Sequence, residues 1–272
     1  MQGHSPPGSR SDRSFLTVLV LIGSLYFLLV LGFLLADAAF VTPTQILKAF
    51  HSPEIRYSIR LSFISCTVTM ILSVWIGIPV GYVMARYKFP GKSVLDSVID
   101  IPIVLPPLVV GLSLLLLFQS PLGRLAQRFV PVTYEIPAVI LAQFSVACAF
   151  AIRTLRMAFE QIHPRREQVA LTLGCNRRQA FWRVLLPEAR GGILTAASLA
   201  WARSLGEFGP VLVFAGATRM RTEVLPTTVF LELSVGNLEG AVAVSLIMVG
   251  AAIAVLLLIR GFGFDPNLKH LR

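Results

Sequence analysis

Charge is what this sequence has least of. Asp, Glu, Lys and Arg make up 14% of its 272 residues, against 55% hydrophobic residues and a mean hydropathy of +0.75. A water-soluble domain of this size could not cover its surface with so few polar groups, so a soluble enzyme or soluble binding module is excluded as the body of the chain. Acidic residues are scarcer than basic ones, 14 against 24 Lys plus Arg, which leaves a formal net charge of +10. Cysteine is limited to Cys66, Cys148 and Cys175, an odd number without C-x-x-C spacing, and this excludes a disulfide framework or a zinc site. The histidines, His4, His51, His163 and His270, fall in tails and loops, so no His/Glu metal constellation lies within the apolar runs.

What the sequence does have is long apolar runs. Six segments approach the roughly 20 residues that a helix needs to cross a bilayer. They lie at about 14–36, 58–85, 94–118 and 136–152, in a run from 191 containing ARSLGEFGPVLVFAG, and at about 238–259. The expectation is an all-α polytopic membrane protein with one membrane domain, 14–260, between polar tails 1–13 and 261–272. Ala36-Asp37-Ala38 has the form of a cleavage site, but the run before it exceeds a signal-peptide core, and an uncleaved first span is expected. Pro102, Pro106 and Pro107 should kink the third span, and broken helices in membranes line cavities or pathways.

Basic residues punctuate the runs. Arg86, Lys88 and Lys92 form one group, and Arg153, Arg156, Arg165 and Arg166 a denser one. The excess of Lys and Arg on cytoplasmic loops places both groups, and both termini, inside. Their dispersal over loops speaks against nucleic acid as a partner, and Arg153 and Arg156 read as topology signals in contact with lipid headgroups. Residues 217–237 then lie outside and include LPTTVFLEL, too short to span and expected to lie on or re-enter the membrane. Gly91-Lys92-Ser93 ends like a nucleotide-binding P-loop, but Arg86 stands where the first glycine is required and no strand precedes it.

One long stretch is shaped for water, residues 167–187, EQVALTLGCNRRQAFWRVLLP. Val169, Ala170 and Leu173 share a face of a short helix, and Gly174 supplies a left-handed stop. Asn176 then caps a second helix with Gln179 completing a capping box, and Ala180, Phe181, Val184 and Leu185 recur at helical spacing until Pro187 ends the run. Arg177, Arg178 and Arg183 lie opposite. Such a helix pair can rest on a membrane surface and offer its polar face to a cytosolic partner.

Glu167-Gln168-Val169-Ala170, then Gly174, then Leu186-Pro187 resemble the "EAA" loop of the membrane subunits of binding-protein-dependent ABC importers. Aligned on Gly174, the usual first glutamate falls on Gln168 and Glu167 lies one position early, so both stand as candidates for the loop's polar contact. Gly77-Ile78-Pro79, Asp100-Ile101-Pro102, Leu105-Pro106-Pro107, Gly111, the string Ser204-Leu205-Gly206-Glu207-Phe208-Gly209 and Phe214-Ala215-Gly216 are similar to molybdate- and sulfate-type permeases.

The resemblance implies a type I ABC importer permease with about six transmembrane helices in the plasma membrane and a cytoplasmic coupling helix within loop 163–191. It implies separate ATPase subunits docked on that loop and using ATP, with no cofactor bound by this chain. An extracytoplasmic solute-binding protein and a second permease copy, identical or related, complete the assembly beside membrane lipid. The implied solute is a small oxyanion, molybdate or tungstate first and sulfate or thiosulfate next, with ferric ion or a polyamine as the alternative in the same fold. From the residues alone, an ATPase-independent channel or secondary transporter stays open. It would want an internal repeat or a relay of intramembrane carboxylates, and only Glu207, with Asp96 and Asp100 near a boundary, stands out. Arg203 and Glu207, four apart, form an ion pair that either fixes packing or lines a pathway, and Ser204, Pro106 and Pro107 join them as pathway candidates.

Overall fold

The computed structural model describes residues 10–262, and among them every regular element is a helix. The expected tails at 1–9 and 263–272 lie outside the described residues. Helix α1 (Arg10–Phe40) starts within the segment read as the first tail, and α2 (Pro43–His51) follows, opened by the Thr42 amide donating to Gln45 Oε1 at 2.8 Å. Next come α3 (Pro53–Arg86), α4 (Lys92–Val104), α5 (Pro107–Gln119), α6 (Pro121–Gln127) and α7 (Ile136–Gln161). The loop that began as a sequence motif contains α8 (Arg165–Thr172), α9 (Arg177–Ala180) and α10 (Leu186–Glu188), and α11 (Arg190–Leu205), α12 (Gly209–Phe214), α13 (Leu225–Ser234) and α14 (Leu238–Phe262) complete the chain.

Helices α3 and α7 form the centre, and glycine is the reason they meet so closely. A Cβ on Gly77 would stand 2.8 Å from Leu155 Cδ1, and one on Gly81, a turn later, 3.0 Å from the Arg156 amide nitrogen. Small residues let backbones approach where lipid gives no hydrophobic drive to pack. Ala147 and Ala151 of α7 meet Ala200 of α11 in the same way. At the periphery the 18-residue core of α1 has no buried residue, as expected of a helix that faces lipid.

Among the described residues, four helices are long and apolar enough to cross a membrane: Ser14–Phe40, Pro53–Arg86, Ile136–Gln161 and Leu238–Ile259. The third expected span is not one straight helix. It is the pair α4 and α5, bent by 111° between Val104 and Pro107. Proline disfavours helical backbone in the residue before it, and Leu105 and Pro106, each followed by proline, are both extended, with ψ 142° and 135°. The fifth run is also interrupted, as α11 stops after 16 residues at Gly206 and α12 restarts at Gly209. The half-length segment α13 packs inside the protein against α3 and α14, with Thr227 and Thr228 buried and the Leu225 amide donating to Ser62 Oγ at 2.8 Å.

Candidate functional site

The loop after α7 is a built unit. Its first helix, α8, ends with the Gly174 amide donating to the Leu171 carbonyl (3.1 Å) and the Cys175 amide to the Ala170 carbonyl (3.0 Å). That paired closure needs a left-handed residue, and Gly174 has φ +90°. The capping box is present in both directions: the Gln179 amide donates to Asn176 Oδ1 (2.8 Å) and the Asn176 amide to Gln179 Oε1 (2.9 Å).

Pro187 does not end the run, contrary to the sequence expectation. Residues Phe181–Leu185 form a π-turn in which the Leu186 amide reaches back to the Phe181 carbonyl, and Pro187 sits in the first turn of α10, where its missing N–H leaves no gap. Leu186 is half-buried beside it.

Two residues from the end of α3 hold this unit. Tyr82 Oη donates to Glu167 Oε1 at 2.8 Å, and its ring meets Phe181 edge-on with centroids 4.9 Å apart and Phe159 at 5.9 Å. Arg86 Nη2 donates to the Ile162 carbonyl at 2.8 Å, with Nε 3.7 Å from Glu167 Oε2. Arg166 and Glu188 pair across the loop, and Arg177 Nη1 donates to Tyr87 Oη at 3.3 Å. Glu167 is therefore the residue that makes the internal polar contact, while Gln168 is exposed.

The apolar face differs from the sequence reading. Ala170, Ala180 and Leu185 are buried, but Val169 is 54% and Leu173 80% exposed. In an eight-residue helix the inward side is set by Glu167 and Ala170, three apart, which turns Val169 to the far side. Val169, Leu173 and Trp182 are thus presented outward together with Arg177, Arg178 and Arg183, so the outer surface is apolar as well as basic.

The two interrupted runs meet each other. A Cβ on Gly209 would lie 2.8 Å from Pro107 Cβ, and one on Gly111 would lie 2.8 Å from Pro210 Cα. Just before this crossing, Arg203 Nη1 pairs with Glu207 Oε2 at 2.6 Å, and the guanidinium lies 5.7 Å from the Phe150 ring centroid. Glu207 is 1% exposed and Arg203 31%, so the arginine is the open end of the pair. Ser204, a sequence candidate, is buried with its hydroxyl donating to the Ala200 carbonyl at 2.7 Å, and Pro106 and Pro107 are exposed at the bend.

Two charge clusters were not foreseen. Arg153 and Arg156 do not face headgroups alone: Arg153 pairs with Asp100, Arg156 Nη1 lies 2.7 Å from Asp96 Oδ1, and Arg156 Nε also bonds Glu160 at 2.8 Å. Asp96 and Asp100 at helical spacing opposite two arginines three apart was the signal that could have revealed this. The other cluster ties the segment before α13 to that helix: Arg219 Nη2 binds Glu232 of α13 at 2.8 Å, and its Nη1 lies 3.9 Å from the fully buried Glu223. Burial pushes the Glu223 carboxyl above its ordinary range, against the pull of Arg219.

Residues 77–265 match the family model described as "Binding-protein-dependent transport system inner membrane component". The sulfate transport system permease protein CysT of Escherichia coli is 31% identical over 235 residues, 85% of each chain. A probable molybdenum ABC transporter permease protein of Haloferax volcanii is 32% identical over 89% of this chain and 87% of its own. The molybdate/tungstate transport system permease protein WtpB of Pyrococcus abyssi is 32% identical over 79% and 82%. Among solved structures, a chain of a bacterial alginate ABC transporter in complex with an alginate pentasaccharide-bound periplasmic protein superposes with TM-score 0.73 at 15% identity, covering 93% of this chain and 95% of that one. A chain of an amino acid ABC transporter gives 0.55 at 20% identity, covering 82% and 98%. The family match, the extent of the curated relatives and the shared helical fold agree: this chain belongs to the binding-protein-dependent transport system inner membrane components and is a permease subunit of an ABC importer.

Proposed function

We propose that this permease carries a small tetrahedral oxyanion, molybdate or tungstate first and sulfate or thiosulfate next, and that loop 163–191 is where separate ATPase subunits dock. The observation that carries the docking reading is the division of the loop. One side is fixed to α3 and α7 through Tyr82, Arg86 and Phe159, while Val169, Leu173, Trp182 and three arginines face outward. A unit locked to the spans on one side and open to a partner on the other can transmit a displacement as a rigid body. The names of the relatives, for sulfate, molybdenum and molybdate/tungstate, support the oxyanion. Arg203, partly open beside the α11 break, supplies a cation suited to an anion route.

In this reading ATP is bound and hydrolysed by the partner subunits, and the permease itself binds no cofactor. A solute-binding protein delivers the anion from outside, and a second permease copy completes the pathway. Six spans, counting α4 with α5 and α11 with α12 as one each, put both termini and the segments 86–92 and 153–190 inside. Single cysteines at Lys88 or Arg178, in a chain with Cys175→Ser, should resist an impermeant thiol reagent in intact cells, and efficient labelling would overturn that orientation.

The function is tested with the assembled complex in liposomes. ATP hydrolysis is measured with binding protein loaded with molybdate, tungstate or sulfate. Stimulation by at least one oxyanion-loaded form over the empty form is the expected result, and stimulation by none of them would remove the oxyanion reading.

A further inference from the structure

The bend at residues 105–106 separates two half-helices that are attached in opposite ways. On one side, α5 is locked by shape: Gly111 and Gly209 leave no room for even a methyl group between α5 and α12, each Cβ position falling 2.8 Å from a heavy atom of the opposite proline. On the other side, α4 has no buried residue, and among the described residues its one substantial packing partner is α7. What holds it there is charge. Asp100 pairs with Arg153, Asp96 Oδ1 lies 2.7 Å from Arg156 Nη1 and 3.7 Å from Arg153 Nη2, and all four side chains are between 23% and 41% exposed.

A close-packed contact of backbone on backbone yields little before it breaks, whereas ion pairs on a helix without a buried face can exchange partners at small cost. An exchange partner is at hand, because Glu160 Oε1 already accepts from Arg156 Nε at 2.8 Å. Glu160 is also placed to sense the loop. It stands two residues before Ile162, whose carbonyl is held by Arg86, and Arg86 in turn lies 3.7 Å from Glu167.

We propose that Asp96, Asp100, Arg153 and Arg156 form a latch that sets the position of α4, and that α4 swings about residues 105–106 while α5 stays fixed on α12. A shift of loop 163–191 reaches the latch through the end of α7, where Arg156 is shared between Asp96 on α4 and Glu160 on its own helix. The four latch side chains are positioning residues, and they need not touch the solute. The link to the loop rests on the reading that ATPase subunits dock there, whereas the swing of α4 does not.

The test uses the full complex in proteoliposomes. Asp100→Cys with Arg153→Cys, in a chain carrying Cys175→Ser, is joined by a short bis-thiosulfonate cross-linker that a reductant cleaves, and the Asp96–Arg156 contact is left in place. The expected result is a loss of transport of about tenfold or more on cross-linking, since an element that must move is held, with recovery on reduction in the same sample. Equal transport before and after reduction would overturn the latch. Charge exchange provides a second arm: Asp100→Arg and Arg153→Asp should each impair transport, and the two together should recover it, whereas a double variant no better than either single one also overturns the proposal. Co-purification of the ATPase is read from the same preparations. Failure of the unmodified chain to retain it would refute the docking reading, while the cross-linking result alone decides the latch.

Discussion

The hydroxyl of Tyr82 donates a 2.8 Å hydrogen bond to the carboxylate of Glu167, tying the last full turn of α3 to the first turn of α8. One residue thus joins a membrane helix to loop 163–191, and its ring contacts both Phe159 of α7 and Phe181 of the π-turn. The bond fixes direction and the rings supply area, so the two contributions can be separated by mutation.

Tyr82→Phe removes the bond and keeps the rings. It should lower stability by about 0.5–1.5 kcal/mol and leave the amount in the membrane unchanged, while stimulation of ATP hydrolysis by loaded binding protein falls. Tyr82→Ala also empties the aromatic cluster and should cost about 3–5 kcal/mol, read as a lower melting temperature of the complex. Full stimulation in Tyr82→Phe would show that the bond has no part in coupling.

Glycines at close crossings and glycines in open space should behave oppositely. Gly209→Ala and Gly111→Ala each place a Cβ 2.8 Å from a proline atom and should destabilise by about 1–3 kcal/mol, seen as reduced membrane abundance. Gly191, in the first turn of α11 with nothing within 4 Å of its Cβ position, should accept alanine with no loss, and a gain of up to about 1 kcal/mol is expected from lower backbone entropy. Equal effects at all three positions would contradict the packing described for α5 and α12.

Arg203→Ala strands the buried carboxylate of Glu207 and should cost about 3–5 kcal/mol, whereas Arg203→Ala with Glu207→Ala should cost less than the single change. Thermal stability and transport are both measured. Simple additivity would show that the 2.6 Å contact carries no coupling, and Arg203 would then be the stronger candidate for contact with the anion.

Much of this was legible beforehand because it is local. Gly174, Asn176 and Gln179 announce their turn by residue type and spacing, and the structure has the positive φ and both capping bonds. The apolar runs gave the helices, and the prolines gave the break in the third run. What stayed hidden depends on which elements become neighbours. Where α5 goes after the bend at residues 105–106 depends on its close packing against α12 through Gly111 and Gly209, which are nearly a hundred residues apart in sequence. Val169 and Leu173 looked like the inward face because hydrophobicity was the only guide, and the contact of Glu167 with Tyr82 rotates the helix the other way. Arg153 and Arg156 read from the sequence only as topology signals and headgroup contacts, because their pairing with Asp100 and Asp96 arises only once α4 lies beside α7.

Glu223 predicts a dependence on pH. It is fully buried before α13, burial raises its pKa from the ordinary 4.5, and the charged groups around it are Arg219, Glu232 and, more distantly, Glu54 through Arg219. Above pH 4.5 the unfolded chain ionises this group while the folded chain keeps it protonated, so stability falls as pH rises from there toward the folded value. Glu223→Gln should abolish that part of the slope and raise the melting temperature at neutral pH. A variant that melts lower than the parent at neutral pH, with the same slope, would mean that Glu223 is ionised and held by Arg219.

If loop 163–191 couples the ATPase subunits to the spans, as proposed, Gly174 is the residue on which that coupling turns. Its φ of +90° is costly for any residue with a Cβ although nothing crowds the position, so Gly174→Val should distort the turn at about 1–2 kcal/mol while the spans fold as before. The measurement is the stimulation of ATP hydrolysis by loaded binding protein in liposomes, at matched permease content, with Arg178→Ala as a control that changes charge and leaves the turn intact. Gly174→Val should reach the membrane at near-normal level and lose ATPase binding or its stimulation, while Arg178→Ala keeps most of both. Normal, fully stimulated hydrolysis and transport by Gly174→Val would contradict the proposed coupling.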